Sequence, residues 1–331
     1  MQNSHLLLVT NLKKYYPLRR GILRKSCEYV RAVEKVSFHL GKGETLGLVG
    51  ESGCGKTTLG RLIIRLEIPS SGSIFYRDSP DLALLPENQF LPYRRKIQMI
   101  FQDPFSSLNP RMTVEGIVGE ALTIHKLFSG REKWARVGHL LNAVGLQPAH
   151  TERFPHEFSG GQRQRISIAR ALAVEPEVII ADEPVSSLDV SIQAQIINLL
   201  QELQTKLGIS FIFISHDLAV VGHISHRVAV MYLGWLVEMG TRDHIFQEPL
   251  HPYTRALLSA VPTPDPVTRK KRIILEGDVP SPIAPPPGCP FHPRCPQRFE
   301  PCVRLIPLLK DMGMGHTVAC HLYDQNKGKK L

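Results

Sequence analysis

The stretch Gly50, Glu51, Ser52, Gly53, Cys54, Gly55, Lys56, Thr57 has residue types and spacing suited to gripping a polyphosphate. Glycines at its first, fourth and sixth places let the chain turn with positive φ, so that consecutive N–H groups converge on one anion. A helix beginning here adds the positive end of its dipole. The Lys56 ammonium is placed to reach the β- and γ-phosphates, the Thr57 hydroxyl to ligate Mg²⁺, and Thr58 follows on the same first turn. A second constellation lies downstream, where the apolar run 178–181 ends in Asp182 and Glu183. Asp182 is suited to holding Mg²⁺, commonly through water, and Glu183 to polarising an attacking water. Ser159, Gly160, Gly161 and Gln162 open a helical stretch and offer a second anion-binding turn. His216 follows the apolar run 209–214, where it is placed to contact a γ-phosphate and its water.

These groups need strands that end near one another. Apolar or alternating runs predict strands over 6–12, 29–40, 45–49, 73–77, 97–101, 178–183, 209–214, 227–232 and 235–239. Helical periodicity predicts helices over 58–66, 113–126, 131–145, from Gly160 to about Val174, and 191–207. Gly145 and Gly208 serve as C-terminal stops. The segment 17–21 and the sequence through the 80s read as loops. Tyr16 and Tyr29 are rival candidates to stack on a purine, and ordinary packing explains either equally well.

The chain has 331 residues, 43% of them hydrophobic, with a formal charge of +10. This suits one large domain with an appendage, rules out wholesale disorder and favours an anionic neighbour, either nucleic acid or a membrane face. No apolar run approaches the ~18 residues of a membrane span, and the start has no signal-peptide pattern, so a cytoplasmic location is expected. After residue 250 the composition changes. His251, Pro252, Tyr253 and Thr254 begin a short helix, then a proline-rich, basic tail carries Cys289, Cys295, Cys302 and Cys320. In a reducing compartment such a cluster reads as metal chemistry, and its spacing leaves zinc and an iron–sulfur cluster both open.

Taken together, the motifs resemble the nucleotide-binding subunit of ATP-binding-cassette (ABC) transporters over about residues 5–250. Gly50 to Thr57 matches the Walker A loop, Gln102 the Q-loop, and Ser159 to Gln162 the signature motif, with Phe158 where leucine is commoner. Residues 179–183 match Walker B, 187–189 the D-loop, and His216 the switch histidine. The resemblance implies an α/β P-loop NTPase of ABC type: a RecA-like core with antiparallel β and helical subdomains, plus a small Pro/Cys-rich extension. It divides the chain into a nucleotide-binding domain at 1–250, with its helical subdomain at about 104–170, and an extension at 251–331. It further implies that ATP and Mg²⁺ bind, with Gln102 near the metal, and that Glu183, His216 and Gln102 take part in hydrolysis between two subunits.

The tail resembles that of the dipeptide and oligopeptide permease ATPases. That resemblance implies a [4Fe-4S] cluster on Cys289, Cys295, Cys302 and Cys320, with zinc as the alternative. It also implies a peptide importer at the cytoplasmic face of the membrane. The implied partners are a paralogous ATPase (a heterodimer), two transmembrane permease subunits and an extracytoplasmic peptide-binding protein. Rival expectations are an importer of another solute and a soluble ABC ATPase working on nucleic acid or ribosomes. The single cassette and the absence of sustained heptads weigh against the latter, and no nucleic-acid partner is expected.

Overall fold

The structure is a computed structural model and describes residues 5–18, 28–261 and 272–324. In chain order come β1 (Leu7–Leu18), β2 (Glu28–Leu40), β3 (Thr45–Val49), α1 (Lys56–Ile63), β4 (Ser71–Tyr76), α2 (Glu87–Lys96), β5 (Ile97–Ile100) and α3 (Pro104–Ser107). There follow α4 (Val114–Ile124), α5 (Gly130–Ala143), α6 (Gly160–Leu172), β6 (Val178–Asp182), α7 (Val190–Leu207), β7 (Ser210–Ile214), α8 (Leu218–Ile224), β8 (Arg227–Tyr232) and β9 (Trp235–Thr241). The last are α9 (Arg242–Gln247), α10 (Pro252–Ser259), α11 (Glu300–Arg304), β10 (Lys310–Asp311) and β11 (Thr317–Val318).

Two compact units emerge. The first holds the described residues 5–6 together with Leu40–Thr45 and Leu84–Ser215. Its β5, β6 and β7 run parallel, with Ile97 opposite Val178 and Val178 opposite Ser210. Every residue of β6 and β7 is buried, which explains their unbroken apolar sequence: a parallel strand covered on both faces has no polar side to show. Helices α4, α5 and α6 pack together beside this sheet, and α7 ends at Gly208 in the left-handed conformation (φ 66°).

The sequence reading of a loop through the 80s is corrected by α2. This helix is polar and contains Pro92, which forgoes a bond to the Asn88 carbonyl, so no periodicity betrays it. Phe90, fully buried, and the Glu87–Arg94 ion pair hold it.

The second unit holds the described parts of 7–39, 46–83 and 216–324. One sheet has the order β2-β1-β4, with β1 and β4 antiparallel. The loop expected at 17–21 is corrected in part. Pro17 and Leu18 end β1, and residues 19–21 lie outside the described residues. A proline is tolerated there because pairing with β4 stops at Lys13, so β4 asks no N–H of Pro17.

The other sheet of this unit is mixed: β3 pairs β8 in parallel, β8 pairs β9 antiparallel, and β11 continues from β9 to β10. Glu238, on β9 and wholly buried, accepts from the Leu250 N–H (2.7 Å), the His251 N–H (2.9 Å) and His316 Nε2 (2.8 Å). A buried carboxylate needs such partners, and these tie α10 and the tail to the sheet. Among the described residues no helix is long and apolar enough to cross a membrane.

Candidate nucleotide site

In the second unit the loop between β3 and α1 has a backbone that only glycine permits. A Cβ on Gly55 (φ 105°) would lie 2.1 Å from the Ala32 carbonyl oxygen, and one on Gly50 2.1 Å from that of Met231. Close approach of neighbouring backbone therefore fixes the loop. Lys56 is buried and donates to the Gly50 and Glu51 carbonyls at 2.8 and 3.1 Å, so its ammonium lies against its own loop. Cys54 is buried beside it, its thiol pushed up by desolvation with the ammonium opposing. Ser52 and Gly53 are exposed at the tip, and Thr57 and Thr58 are half-buried on the first turn of α1. Exposed loop amides above a buried lysine fit a bound polyphosphate.

Tyr16 lies in the same unit, alongside the Thr58 hydroxyl and Glu67, with the Lys14 ammonium 4.8 Å from its ring centroid. Burial, then Glu67, raises its phenol pKa. Tyr29 is 44% exposed and neighbours Tyr15, whose hydroxyl donates to Glu34. His216 is exposed and precedes Asp217, which caps α8 by accepting from the Ala219 and Val220 N–H groups.

In the first unit the Gln102 amide donates to Glu183 Oε2 at 3.0 Å, across adjacent parallel strand ends. Asp182 is buried at the end of β6, while Glu183 has φ 45°. A non-glycine residue held in the left-handed region carries strain, and such residues gather at functional sites. The oxygen donors of Asp182 and Gln102 here, and of Thr57 in the second unit, are each of the hard type Mg²⁺ prefers.

Ser159 and Gln162 form a reciprocal cap on α6: Ser159 Oγ accepts from the Gln162 N–H (3.4 Å), and Gln162 Oε1 accepts from the Ser159 N–H (3.0 Å). The N–H groups of Gly160 and Gly161 are left to the helix start. A Cβ on Gly161 would meet Ile192 at 2.6 Å. Phe158 is buried, edge-on to the His150 ring at 5.3 Å, so an aromatic fills the place expected for leucine.

The metal expectation for the tail is overturned. Among the described residues no group of three or more His, Cys, Asp or Glu is placed to hold a metal ion, which removes both the [4Fe-4S] cluster and zinc. Cys289, Cys295, Cys302 and Cys320 are free thiols. Burial, with neighbouring thiols adding, pushes Cys289 up to about 12 and Cys320 up to about 11, and also raises Cys295.

What the sequence reading missed is what this turn does carry. Arg294 forms two hydrogen bonds to Glu51 of the glycine loop, Nη1 to Oε2 at 2.8 Å and Nη2 to Oε1 at 3.2 Å. The Glu51 N–H donates to the Tyr253 hydroxyl at 2.9 Å. The only hint in the sequence is an acidic residue inside a phosphate loop, which calls for a counter-charge.

Residues 33–186 match the family model described as ABC transporter, and residues 237–302 match that described as oligopeptide/dipeptide transporter, C-terminal region. The chain is 52% identical over 324 residues to the oligopeptide transport ATP-binding protein AppF of Bacillus subtilis (strain 168), covering 96% of this chain and 97% of that protein. It is 51% identical over 322 residues to the dipeptide transport ATP-binding protein DppF of Escherichia coli (strain K12), covering 97% and 96%. Among solved structures it is similar to the ATP-binding cassette MJ0796, in a dimeric post-hydrolysis state bound to ADP and Pi. There the TM-score is 0.63 at 28% identity, covering 71% of this chain and 98% of that one. CbiO1 of Clostridium perfringens gives a TM-score of 0.63 at 28% identity, covering 74% and 92%.

Proposed function

The chain belongs to the ABC transporter ATP-binding family, in its oligopeptide and dipeptide branch, and from that we propose that it is the ATP-hydrolysing subunit powering import of di- or oligopeptides across the cytoplasmic membrane. Its fold is that of an ABC-type P-loop ATPase with a mixed α/β sheet, and its partners include membrane permease subunits. The observation that carries the peptide assignment is the near-full-length likeness to peptide-transport ATPases, tail included.

In this reading residues 1–250 are the nucleotide-binding domain, with a helical subdomain at about 104–170, and 251–331 a Pro/Cys-rich extension. Gly50 to Thr58 bind ATP, and Tyr16 stacks on adenine, supported by its place beside Thr58. Thr57, Asp182 and Gln102 hold Mg²⁺, which when bound screens the phosphate charge. Glu183 orients and polarises the water, a role supported by the Gln102 hydrogen bond to it. His216 contacts the γ-phosphate. Ser159, Gly160, Gly161 and Gln162 cap the ATP of a second, paralogous ATPase, and turnover requires the two subunits to close because phosphoryl transfer rests on positioning. The assembly includes an extracytoplasmic peptide-binding protein, and the chain sits peripherally on the cytoplasmic face, where its positive charge suits anionic headgroups.

The test is uptake of a labelled dipeptide by cells whose only copy is wild type or Glu183→Gln. The variant is expected to bind ATP, lose turnover by a factor on the order of 10²–10⁴, and abolish uptake at unchanged protein level. Equal uptake in both removes the peptide assignment, and substantial remaining hydrolysis removes Glu183 from its role.

A further inference from the structure

The phosphate loop and the tail's cysteine turn are joined through one residue, Glu51. Its three polar groups are all engaged. The carbonyl accepts from Lys56 Nζ (3.1 Å), the N–H donates to Tyr253 Oη (2.9 Å), and the carboxylate receives the fork of Arg294 (2.8 and 3.2 Å). The Arg294 side chain is only 9% exposed and that of Glu51 27%, so water screens the pair poorly. Tyr253 is fully buried, and desolvation raises its phenol, so it stays a hydroxyl able to accept the Glu51 N–H.

Packing sets the position of Arg294. Its N–H donates to the Phe291 carbonyl (3.0 Å), and the Phe291 ring is 1% exposed. That ring sits 5.3 Å from the Tyr232 ring and 5.3 Å from the Tyr253 ring. The base of the turn is closed by the Cys289 N–H donating to the Cys302 carbonyl at 2.9 Å. A Cβ on Gly288 (φ 68°) would lie 2.5 Å from that same carbonyl oxygen. The guanidinium is thus carried by a turn wedged against aromatic rings.

A carboxylate in a loop that binds a polyanion opposes its own ligand unless it is neutralised. We infer that Arg294 is a positioning residue for ATP binding: acting through Glu51, it cancels that charge and fixes the loop that cradles the phosphates. The tail is therefore part of the nucleotide site's architecture in this chain. A bidentate guanidinium–carboxylate pair adds orientation as well as charge, which lysine supplies only in part.

This inference rests on the phosphate-loop reading, and the experiment separates the two. The full-length protein and its variants are titrated with the non-hydrolysable analogue AMP-PNP in the presence of Mg²⁺, with a thermal melt of each. Arg294→Ala is expected to weaken binding about tenfold or more, and Arg294→Lys to fall between it and wild type. The double variant Glu51→Gln/Arg294→Ala is expected to return to within about threefold of wild type, because the uncancelled charge is gone. The ATPase activity of Arg294→Ala should show the loss in KM, with kcat at saturating ATP changed far less. Wild-type affinity in Arg294→Ala overturns the inference, as does a double variant no better than Arg294→Ala. A lowered melting temperature with unchanged affinity also overturns it, since the residue would then be structural only. Lys56→Ala is the separate control. If it binds AMP-PNP as wild type does, the phosphate-loop reading itself falls.

Discussion

The glycine loop at Gly50 to Thr57 and the cysteine turn at Gly288 to Cys302 are both short, irregular segments marked by a spacing of unusual residues. They are held in opposite ways. The glycine loop is fixed from outside, by the Ala32 and Met231 carbonyls that leave no room for a Cβ, while Ser52 and Gly53 stay exposed. The cysteine turn is fixed from inside, by Phe291 among Tyr232, Tyr253 and His251, where burial pushes the Cys289 thiol up to about 12. A glycine pattern specifies backbone geometry directly, because glycine's conformational range is a property of the residue itself. A cysteine pattern specifies only what the side chains would do if they converged as thiolates, and whether they do depends on tertiary packing. The first kind of motif can be trusted from sequence further than the second.

The largest expected effect tests the inside-out half of this contrast. Phe291→Ala empties the centre of the aromatic cluster and is expected to destabilise the protein by about 3–5 kcal/mol, read as a fall in denaturant midpoint; a loss below about 1 kcal/mol would mean the ring is not what holds the turn.

Next comes acid. Desolvation, with Arg255 adding and Glu238 opposing, pushes buried His251 down to about 4. The folded form therefore refuses a proton that the unfolded chain accepts near its ordinary value of about 6.5. This contribution to stability is complete above that value and is lost as pH falls towards 4, by about 3 kcal/mol in all. His251→Gln should flatten the stability profile over that window, and an unchanged slope would sink the assignment.

Smaller again is Gly55→Ala, which brings a methyl group into the Ala32 carbonyl at positive φ. A cost of about 2 kcal/mol is expected, accompanied by weaker ATP binding. A neutral result would show that the loop is not set by its neighbours.

The smallest effect is none at all. In the native protein at pH 8, iodoacetamide should leave Cys289 and Cys320 unmodified and label both after denaturation. Protein purified without air should contain neither iron nor zinc in stoichiometric amount.

Much of the fold could be read in advance, for local reasons. The buried strands β6 and β7 are unbroken apolar runs, and α7 ends at a glycine. Helix α2 could not be read, because Pro92 and its polar face erase the pattern and only Phe90 is buried. The residues proposed to bind nucleotide stand out as motifs, since each lies at or just beyond the end of a regular element. The bond from Arg294 to Glu51 joins residues 243 positions apart, and nothing in either neighbourhood names the other. Glu238 likewise looked like an ordinary strand residue, although it anchors two backbone N–H groups and His316.

The reciprocal cap on α6 has one more consequence. A serine hydroxyl has two lone pairs and a single hydrogen, and the Gln162 N–H engages the lone-pair side of Ser159. That contact uses one lone pair and does not engage the hydroxyl hydrogen. An oxygen that accepts from the chain behind it remains a donor to whatever comes in front.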